Sequence, residues 1–157
     1  MSVLTDGCIV ADHKPMWKLP RGMFFVSDMQ GILDNLPESL RIHKFDIVII
    51  CGVLMYVNDV EIGECLNNIC QLLSEHGQIF IREPIALEER LTLDKFYSQE
   101  CKDEYSAIYR SKSFYEDKFK AAFLDNGIKC KSEGFLYDEG KLNNRKETQV
   151  YYWVFEK

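Results

Sequence analysis

The run FDIVIICGV at residues 45–53 decides the fold class of this chain. From Phe45 to Cys51 the residues are apolar, and several are β-branched, with Asp46 as the exception. A continuous run of this kind is typical of a strand that is buried on both faces of a parallel sheet. Gly52 follows at once, as expected where a strand leaves the sheet through a tight turn.

A helix and another strand are predicted directly after this run. Asn58 and Glu61 have the spacing of a capping box, which marks the start of a helix. The buried stripe of this helix consists of apolar residues at helical spacing, namely Ile62, Leu66, Ile69 and Leu73. Gly77 is expected to end the helix, and residues 78–82 to form the next buried strand. The succession of strand, helix and strand predicts a βα unit with parallel strands.

Further elements are predicted on both sides of this unit. Two short apolar runs at residues 7–11 and 23–27 indicate strands in the N-terminal part. The more polar segment 87–110 is expected to form one or two helices that lie over the edge of the sheet. Ser113 and Glu116 form a second capping box, which opens another helix. Its buried face comprises Tyr115, Phe119, Ala122 and Phe123, and Asn126 with Gly127 closes it.

Two final strands complete the predicted domain. Residues 128–137, with a bend near Gly134, and residues 149–155 have the pattern of an antiparallel hairpin. Together the elements predict a single α/β domain over residues 1–157. Its mostly parallel sheet carries flanking helices and ends in this hairpin.

Composition narrows the classes of function. The chain has 157 residues, of which 46% are hydrophobic, enough for one buried core. Its formal net charge of −6 argues against nucleic acid or an anionic membrane as the partner, and leaves small molecules and peptides open. The six cysteines contain no CxxC pair, so we expect reduced thiols and no metal site. Without a signal sequence or an apolar run of about 20 residues, the chain is expected to be cytoplasmic.

The order of elements from Asp12 onward resembles the Rossmann-like class I methyltransferases that depend on S-adenosylmethionine (SAM). The matching features are Asp12, the pair Asp28-Met29, the aromatic-acid pair Phe45-Asp46 that leads to residues 51–56, and the C-terminal hairpin. The match is most specific over residues 45–82. The resemblance implies SAM as cofactor and methyl transfer to a small-molecule or peptide-like acceptor.

The resemblance also implies a set of cofactor-binding residues. In the family an acidic residue after a strand binds the ribose hydroxyls of the cofactor. Asp12 would take this role here, since a carboxylate can accept two hydrogen bonds. Asp28 and Met29 would lie at the adenine, and Cys51, Gly52 and Val53 would line the cofactor at the exit of the strand. These positions meet at the carboxyl edge of a parallel sheet. No residue is assigned a catalytic role.

Acceptor-binding residues are predicted on the same edge. They are Tyr56, Arg82, Tyr105, Tyr109 and Arg110. Arginine can bind a carboxylate or phosphate of an acceptor, and a polar aromatic cluster can shape a pocket. Each residue also has an ordinary structural explanation, such as helix packing for the tyrosines or an ion pair with Glu83 for Arg82.

The sequence departs from the family at its start. Only a few residues precede Gly7, too few for the strand and glycine-rich loop with which the family begins, so an N-terminally truncated form is expected. Three explanations stay open. The remaining strands close up, a partner chain or a second copy in a homodimer completes the sheet, or the sequence is part of a longer protein. The alternative function is a catalytically inactive methyltransferase-like module that binds a partner chain.

Overall fold

A computed structural model describes residues 29, 31–36, 42, 44–99, 102–137 and 145–157 of the chain. Its helices are α1 (Ile32–Asn35), α2 (Ile62–Leu72) and α3 (Lys112–Phe123), with short 3-10 turns at Leu54–Tyr56 and Leu124–Asn126. Its strands are β1 (Phe45–Cys51), β2 (Leu73–Ala86), β3 (Leu91–Ser98), β4 (Asp103–Tyr109), β5 (Lys129–Phe135) and β6 (Thr148–Glu156). The strands predicted at residues 7–11 and 23–27, and with them Asp12 and Asp28, lie outside the described residues.

Four of the described strands form one sheet in the order β1-β2-β6-β5. β1 and β2 are parallel, whereas β6 is antiparallel to both β2 and β5. The described sheet is therefore mixed, and the prediction of a mostly parallel sheet is wrong for these strands. The predicted C-terminal antiparallel hairpin is confirmed.

One face of this sheet forms the main core. Ile50 of β1, Ile81 of β2 and Trp153 of β6 are almost completely buried there with residues of α2 and α3. The ring of Phe119 on α3 lies 5.2 Å from the ring of Trp153, centre to centre. On the opposite face of β1, Ile47 is 48% exposed. The prediction that this strand is buried on both faces is therefore wrong within the described structure.

Gly77 lies inside β2 and does not end the preceding helix as predicted. The helix α2 already ends at Leu72. A Cβ atom at position 77 would stand 2.6 Å from the side chain of Leu73 and 3.0 Å from the carbonyl oxygen of Phe45. The register between β1 and β2 shifts at this point, between Phe45 and Ile47. Glycine is therefore required by the close approach of two strands at an irregular pairing.

Residues 91–109 form an antiparallel hairpin, so the helices predicted over 87–110 are wrong. One face of the hairpin packs against Met55 and Ala86. That face carries Leu91, Leu93, Phe96, Tyr105, Ala107 and Tyr109. A register shift between Leu93 and Phe96, with Lys95 at φ 49°, interrupts the alternation that would have revealed the strand.

The first predicted capping box has its side-chain contact but not its position in the helix. Glu61 accepts hydrogen bonds from the backbone and side-chain amides of Asn58, at 3.3 and 3.0 Å, but α2 begins at Ile62 with Glu61 itself as the N-cap residue, so the prediction that Asn58 caps the helix is wrong. The second box is wrong, because α3 is capped by Ser111, whose hydroxyl accepts from the Phe114 N–H. The predicted buried face of α3 is confirmed, and Gly127 closes the helix at φ 71°.

Candidate functional site

The candidate site lies where the parallel strands β1 and β2 end. Beyond Cys51, Gly52 adopts φ 64° and donates its N–H to the Arg82 carbonyl at 2.8 Å. Apart from its two chain neighbours, none of the described residues has an atom within 4 Å of the place where a Cβ on Gly52 would stand. Glycine is therefore needed for its backbone conformation, and it leaves open space beside the strand exit. In open α/β sheets this edge is the usual place for a ligand.

Glu83 of β2 holds the loop that follows Gly52. Its side chain is fully buried, and Oε1 accepts from the N–H groups of Val53 and Leu54 at 2.8 and 3.0 Å. Burial raises the pKa of Glu83 to about 7, although these amides and the charge of Arg110 act in the opposite direction. Its second oxygen, Oε2, has no hydrogen-bond partner among the residues that the structure describes.

Arg110 holds the same loop through its carbonyl groups. Its guanidinium is 1% exposed and donates to the carbonyls of Leu54 and Val57 at 2.9 and 2.5 Å. Its Nε donates to Asp59 Oδ1 at 2.7 Å. The structure thus places this predicted acceptor-binding residue inside the support of the loop, where its donors are occupied by protein groups.

Asp59 anchors two arginines at the outer end of this support. It forms ion pairs with the buried Arg110 and with Arg90, which is 47% exposed. Partial burial disfavours ionisation of the carboxylate, but hydrogen bonds and the charges of both arginines outweigh it. The pKa of Asp59 is therefore lowered, and Asp59 is ionised at neutral pH.

An aromatic cluster lies beside the loop. We define the hairpin cluster as Tyr56, Phe96, Tyr105, Tyr109 and Arg145. Nη2 of Arg145 donates to the Tyr105 hydroxyl at 3.0 Å, and its guanidinium lies 4.5 Å from the centre of the Phe96 ring. The Phe96 and Tyr105 rings meet edge to face at 5.9 Å. Burial first, and then the neighbouring Tyr105, raises the pKa of Tyr109, so its hydroxyl is protonated at neutral pH.

The structure brings together only some of the predicted acceptor-binding residues. Tyr56, Tyr105 and Tyr109 meet in the hairpin cluster, where Tyr56 and Tyr109 are close enough for their hydroxyls to interact electrostatically. Arg82 is paired in register with Cys51 and Tyr152. The alternation of β2 therefore turns its side chain to the sheet face opposite Glu83.

The predicted cofactor-binding residues that the structure describes lie in two places. Cys51, Gly52 and Val53 lie together at the exit of β1, and all three are partly accessible. Burial raises the pKa of the Cys51 thiol, while the charge of Arg82 opposes the shift, so the thiol is not activated. Met29 is 4% exposed and packs in the main core with Ile50 and Leu54. Its predicted contact with adenine stays a prediction.

Two functional candidates were missed in the sequence. Glu83 occupies an odd-numbered position of β2 between the buried Ile81 and Ile85, and this alternation was a signal that could have placed it in the core. Arg145 lies within residues 140–146, which the sequence predicts to be a polar loop, and no pattern there marked it as functional.

The described residues contain no group of three His, Cys, Asp or Glu side chains that could hold a metal ion. None of the described helices is long and apolar enough to cross a membrane.

Several solved structures share this fold. A SAM-dependent methyltransferase from Methanosarcina mazei matches with a TM-score of 0.56 and 13% identity, over 85% of this chain and 66% of that one. A SAM-dependent methyltransferase from Leishmania major matches with a TM-score of 0.55 and 18% identity, over 83% and 44%. The 1,6-didemethyltoxoflavin N1-methyltransferase of Burkholderia thailandensis was solved with 1,6-didemethyltoxoflavin and S-adenosylhomocysteine (SAH). It matches with a TM-score of 0.55 and 12% identity, over 80% of this chain and 48% of that one.

The match establishes a shared fold. Over about 80% of its length the chain is similar in structure to class I SAM-dependent methyltransferases, as the sequence resemblance implied. It spans between 44% and 66% of the length of these three proteins. No family model matches the sequence, and no curated protein is similar to it in sequence.

Proposed function

We propose that this chain is a SAM-dependent methyltransferase that acts on a small-molecule or peptide-like acceptor. The supporting observation is the loop at residues 52–57, which lies between the carboxyl edge of the parallel strands and the hairpin cluster. Glu83 binds the N–H groups of this loop, and Arg110 binds its carbonyl groups. A fixed loop beside both binding places would help to orient the two reactants, and holding reactants in the right geometry can supply a large part of the reduction of the barrier.

The cofactor would bind against Cys51, Gly52 and Val53. The open space at Gly52 fits a ligand that approaches the backbone closely. The N–H groups of Val53 and Leu54 are already bonded to Glu83 and would not contact the cofactor. Bound SAM would supply an electrophilic methyl group, which passes to a nucleophilic atom of the acceptor while the carbon–sulfur electron pair stays on sulfur and SAH is released. Asp12, Asp28 and Met29 remain proposed cofactor contacts.

The acceptor would bind at the hairpin cluster. Tyr56, which is 50% exposed, and Phe96, which is 42% exposed, offer aromatic surface beside the loop. The Tyr105 hydroxyl and Arg145 offer polar contacts that can orient an acceptor. In this proposal the chain binds and orients the reactants.

Calorimetric titration of the full chain with SAM and SAH tests the proposal. We expect both ligands to bind, and we expect Gly52→Val to weaken their binding at least tenfold. Gly63→Val is the control for a bulky side chain at an uncrowded glycine, because Gly63 on α2 has no described atom beyond its chain neighbours within 4 Å of a Cβ position and lies away from the strand exit. Gly52→Ala, which brings the backbone strain of a positive φ without the bulk, should weaken binding less than Gly52→Val. Circular dichroism of each variant verifies folding.

If neither SAM nor SAH binds, the proposal is wrong, and the alternative is favoured, namely a catalytically inactive module that binds a partner chain. Light scattering would then distinguish a homodimer from a monomer that awaits another partner.

A further inference from the structure

Arg145 contacts aromatic side chains of the hairpin cluster and no carboxylate among the described residues. Its Nη2 donates to the Tyr105 hydroxyl, and its guanidinium lies over the Phe96 ring. The ion pairs of the described residues involve other cations, as when Arg90 and Arg110 share Asp59. A guanidinium carries five N–H donors. Arg145 also shares a hydrogen bond with the Tyr109 hydroxyl, so the contacts with described residues use two of its five donors and leave its charge without an anionic partner among them.

The geometry of the contacts leaves Arg145 suited to a planar anion. A ring that covers the face of a guanidinium leaves its edges available, and arginine binds carboxylates edge-on through two parallel N–H···O bonds. The Tyr105 hydroxyl accepts from Arg145 and also shares a hydrogen bond with the Tyr109 hydroxyl. The remaining N–H groups of the guanidinium can satisfy both oxygens of a carboxylate.

The exposed rings specify the rest of the ligand. Phe96 and Tyr56 are 42% and 50% exposed, and Tyr56 is linked to the cluster through the interaction of its hydroxyl with Tyr109. Aromatic ligands pack well against such rings, in stacked or edge-to-face arrangements. An acceptor with an aromatic body and an anionic group would match both halves of the cluster.

Net charge favours a monoanion bound by a specific contact. The formal charge of −6 gives the chain no general attraction for anions, so a local cation must supply the recognition. One guanidinium balances the single charge of a carboxylate, whereas a phosphate dianion would keep an unbalanced charge.

We propose that the methyl acceptor is an aromatic carboxylic acid whose carboxylate binds Arg145 and whose ring packs against Phe96 and Tyr56. The inference rests on the proposed function, because it takes the hairpin cluster as the acceptor side of the site. The carboxylate serves in binding, and the nucleophilic atom lies elsewhere on the acceptor.

Nuclear magnetic resonance titration of the full chain tests the inference, with benzoate, benzamide and phenyl phosphate as probes. The probes are added in separate experiments with and without saturating SAH, and the side-chain Nε–Hε signals of arginine are followed. We expect benzoate to shift the Arg145 signal and to bind about 10- to 100-fold more tightly than benzamide, the range expected for hydrogen bonds between charged groups. Arg145→Gln should abolish this preference, and Arg145→Lys should retain part of it.

Lys131→Gln is the control, because it removes one positive charge from an exposed ion pair on β5. It should leave the preference for benzoate unchanged. Equal binding of benzoate and benzamide, no binding of benzoate, or a preference that survives Arg145→Gln would overturn the inference, as would tighter binding of phenyl phosphate. If SAH fails to bind while the carboxylate preference holds, the methyltransferase proposal fails and the carboxylate site stands.

Discussion

Glu83 and Arg110 both bind the backbone of Leu54. The carboxylate of Glu83 accepts from the Leu54 N–H, and the guanidinium of Arg110 donates to the Leu54 carbonyl. Both side chains are buried. An irregular loop in a protein interior needs partners for its backbone groups, and here two side chains provide them. The order of the loop therefore depends on these two residues more than on regular secondary structure.

The Arg110 contacts predict a large difference between two arginines that share one carboxylate. Arg110→Met removes the donors to the Leu54 and Val57 carbonyls and a buried charge beside Asp59. We expect the free energy of unfolding to fall by about 2–4 kcal/mol, because buried carbonyls lose their partners. Arg90→Met removes the exposed partner of the same Asp59 and should cost less than about 1 kcal/mol. Urea unfolding of both variants measures the difference, and similar losses would contradict the assigned role.

The start of α3 predicts that two neighbouring serines differ in their effect on stability. Ser111→Ala removes the hydroxyl that accepts from the Phe114 N–H and should destabilise the chain by about 1 kcal/mol. Ser113 lies inside the helix, so Ser113→Ala should change stability by less than about half of that amount. Thermal unfolding followed by circular dichroism distinguishes them. A larger loss of stability in Ser113→Ala than in Ser111→Ala would show that Ser113 caps the helix, as the sequence pattern predicted.

The elements that could be predicted are those whose pattern is local. The apolar run of β1 and the buried face of α3 each follow one period over consecutive residues. The hairpin β3–β4 escaped prediction because the irregular backbone at Lys95 interrupts its alternation. Gly77 gave the wrong boundary because a Cβ there would crowd the side chain of Leu73 and the carbonyl oxygen of Phe45, contacts that arise only when β1 and β2 pair.

The residues of the site also differ in whether a local sequence pattern could reveal them. Tyr105 and Tyr109 were predicted as a polar aromatic cluster because their shared segment resembles the acceptor side of the family's small-molecule members. Arg145 reaches Tyr105 across a separation of 40 residues, and no local pattern encodes such a contact. Arg110 was assigned to the acceptor because a sequence does not show that loop carbonyls occupy its donors.

Gly52 and Gly63 predict opposite effects of the same substitution. At both positions the described residues beyond the chain neighbours leave the 4 Å around a new Cβ empty, so they cause no crowding. At Gly52 the backbone has φ 64°, and Gly52→Ala should cost about 1–2 kcal/mol through backbone strain. At Gly63, in the first turn of α2, Gly63→Ala should stabilise the chain by up to about 1 kcal/mol through helix propensity. Chemical unfolding of the two variants tests this pair, and stabilisation by Gly52→Ala would refute the strained conformation.

The buried carboxyl of Glu83 predicts that its contribution to stability falls as pH rises. Its pKa in the folded chain is about 7, against an ordinary value of 4.5, so the folded state holds the proton over a range in which the unfolded chain has released it. The unpartnered Oε2 agrees with this direction, because an ionised oxygen without a hydrogen bond is costly in the core. The penalty is absent below about pH 4.5, grows between pH 4.5 and 7 and is complete above pH 7.

Glu83→Gln isolates this effect, because the neutral amide keeps an oxygen for the Val53 and Leu54 N–H groups and does not titrate. Relative to the variant, the native chain should lose about 3 kcal/mol of unfolding free energy between pH 4.5 and pH 8, from the linkage between pKa and stability. Asp59 has a lowered pKa, so its titration lies below this window in both proteins. Urea unfolding at intervals of pH gives the two curves. Parallel curves would show that Glu83 ionises in the folded chain at its ordinary pKa, and a native curve that rises relative to the variant would mean that the loop amides outweigh burial.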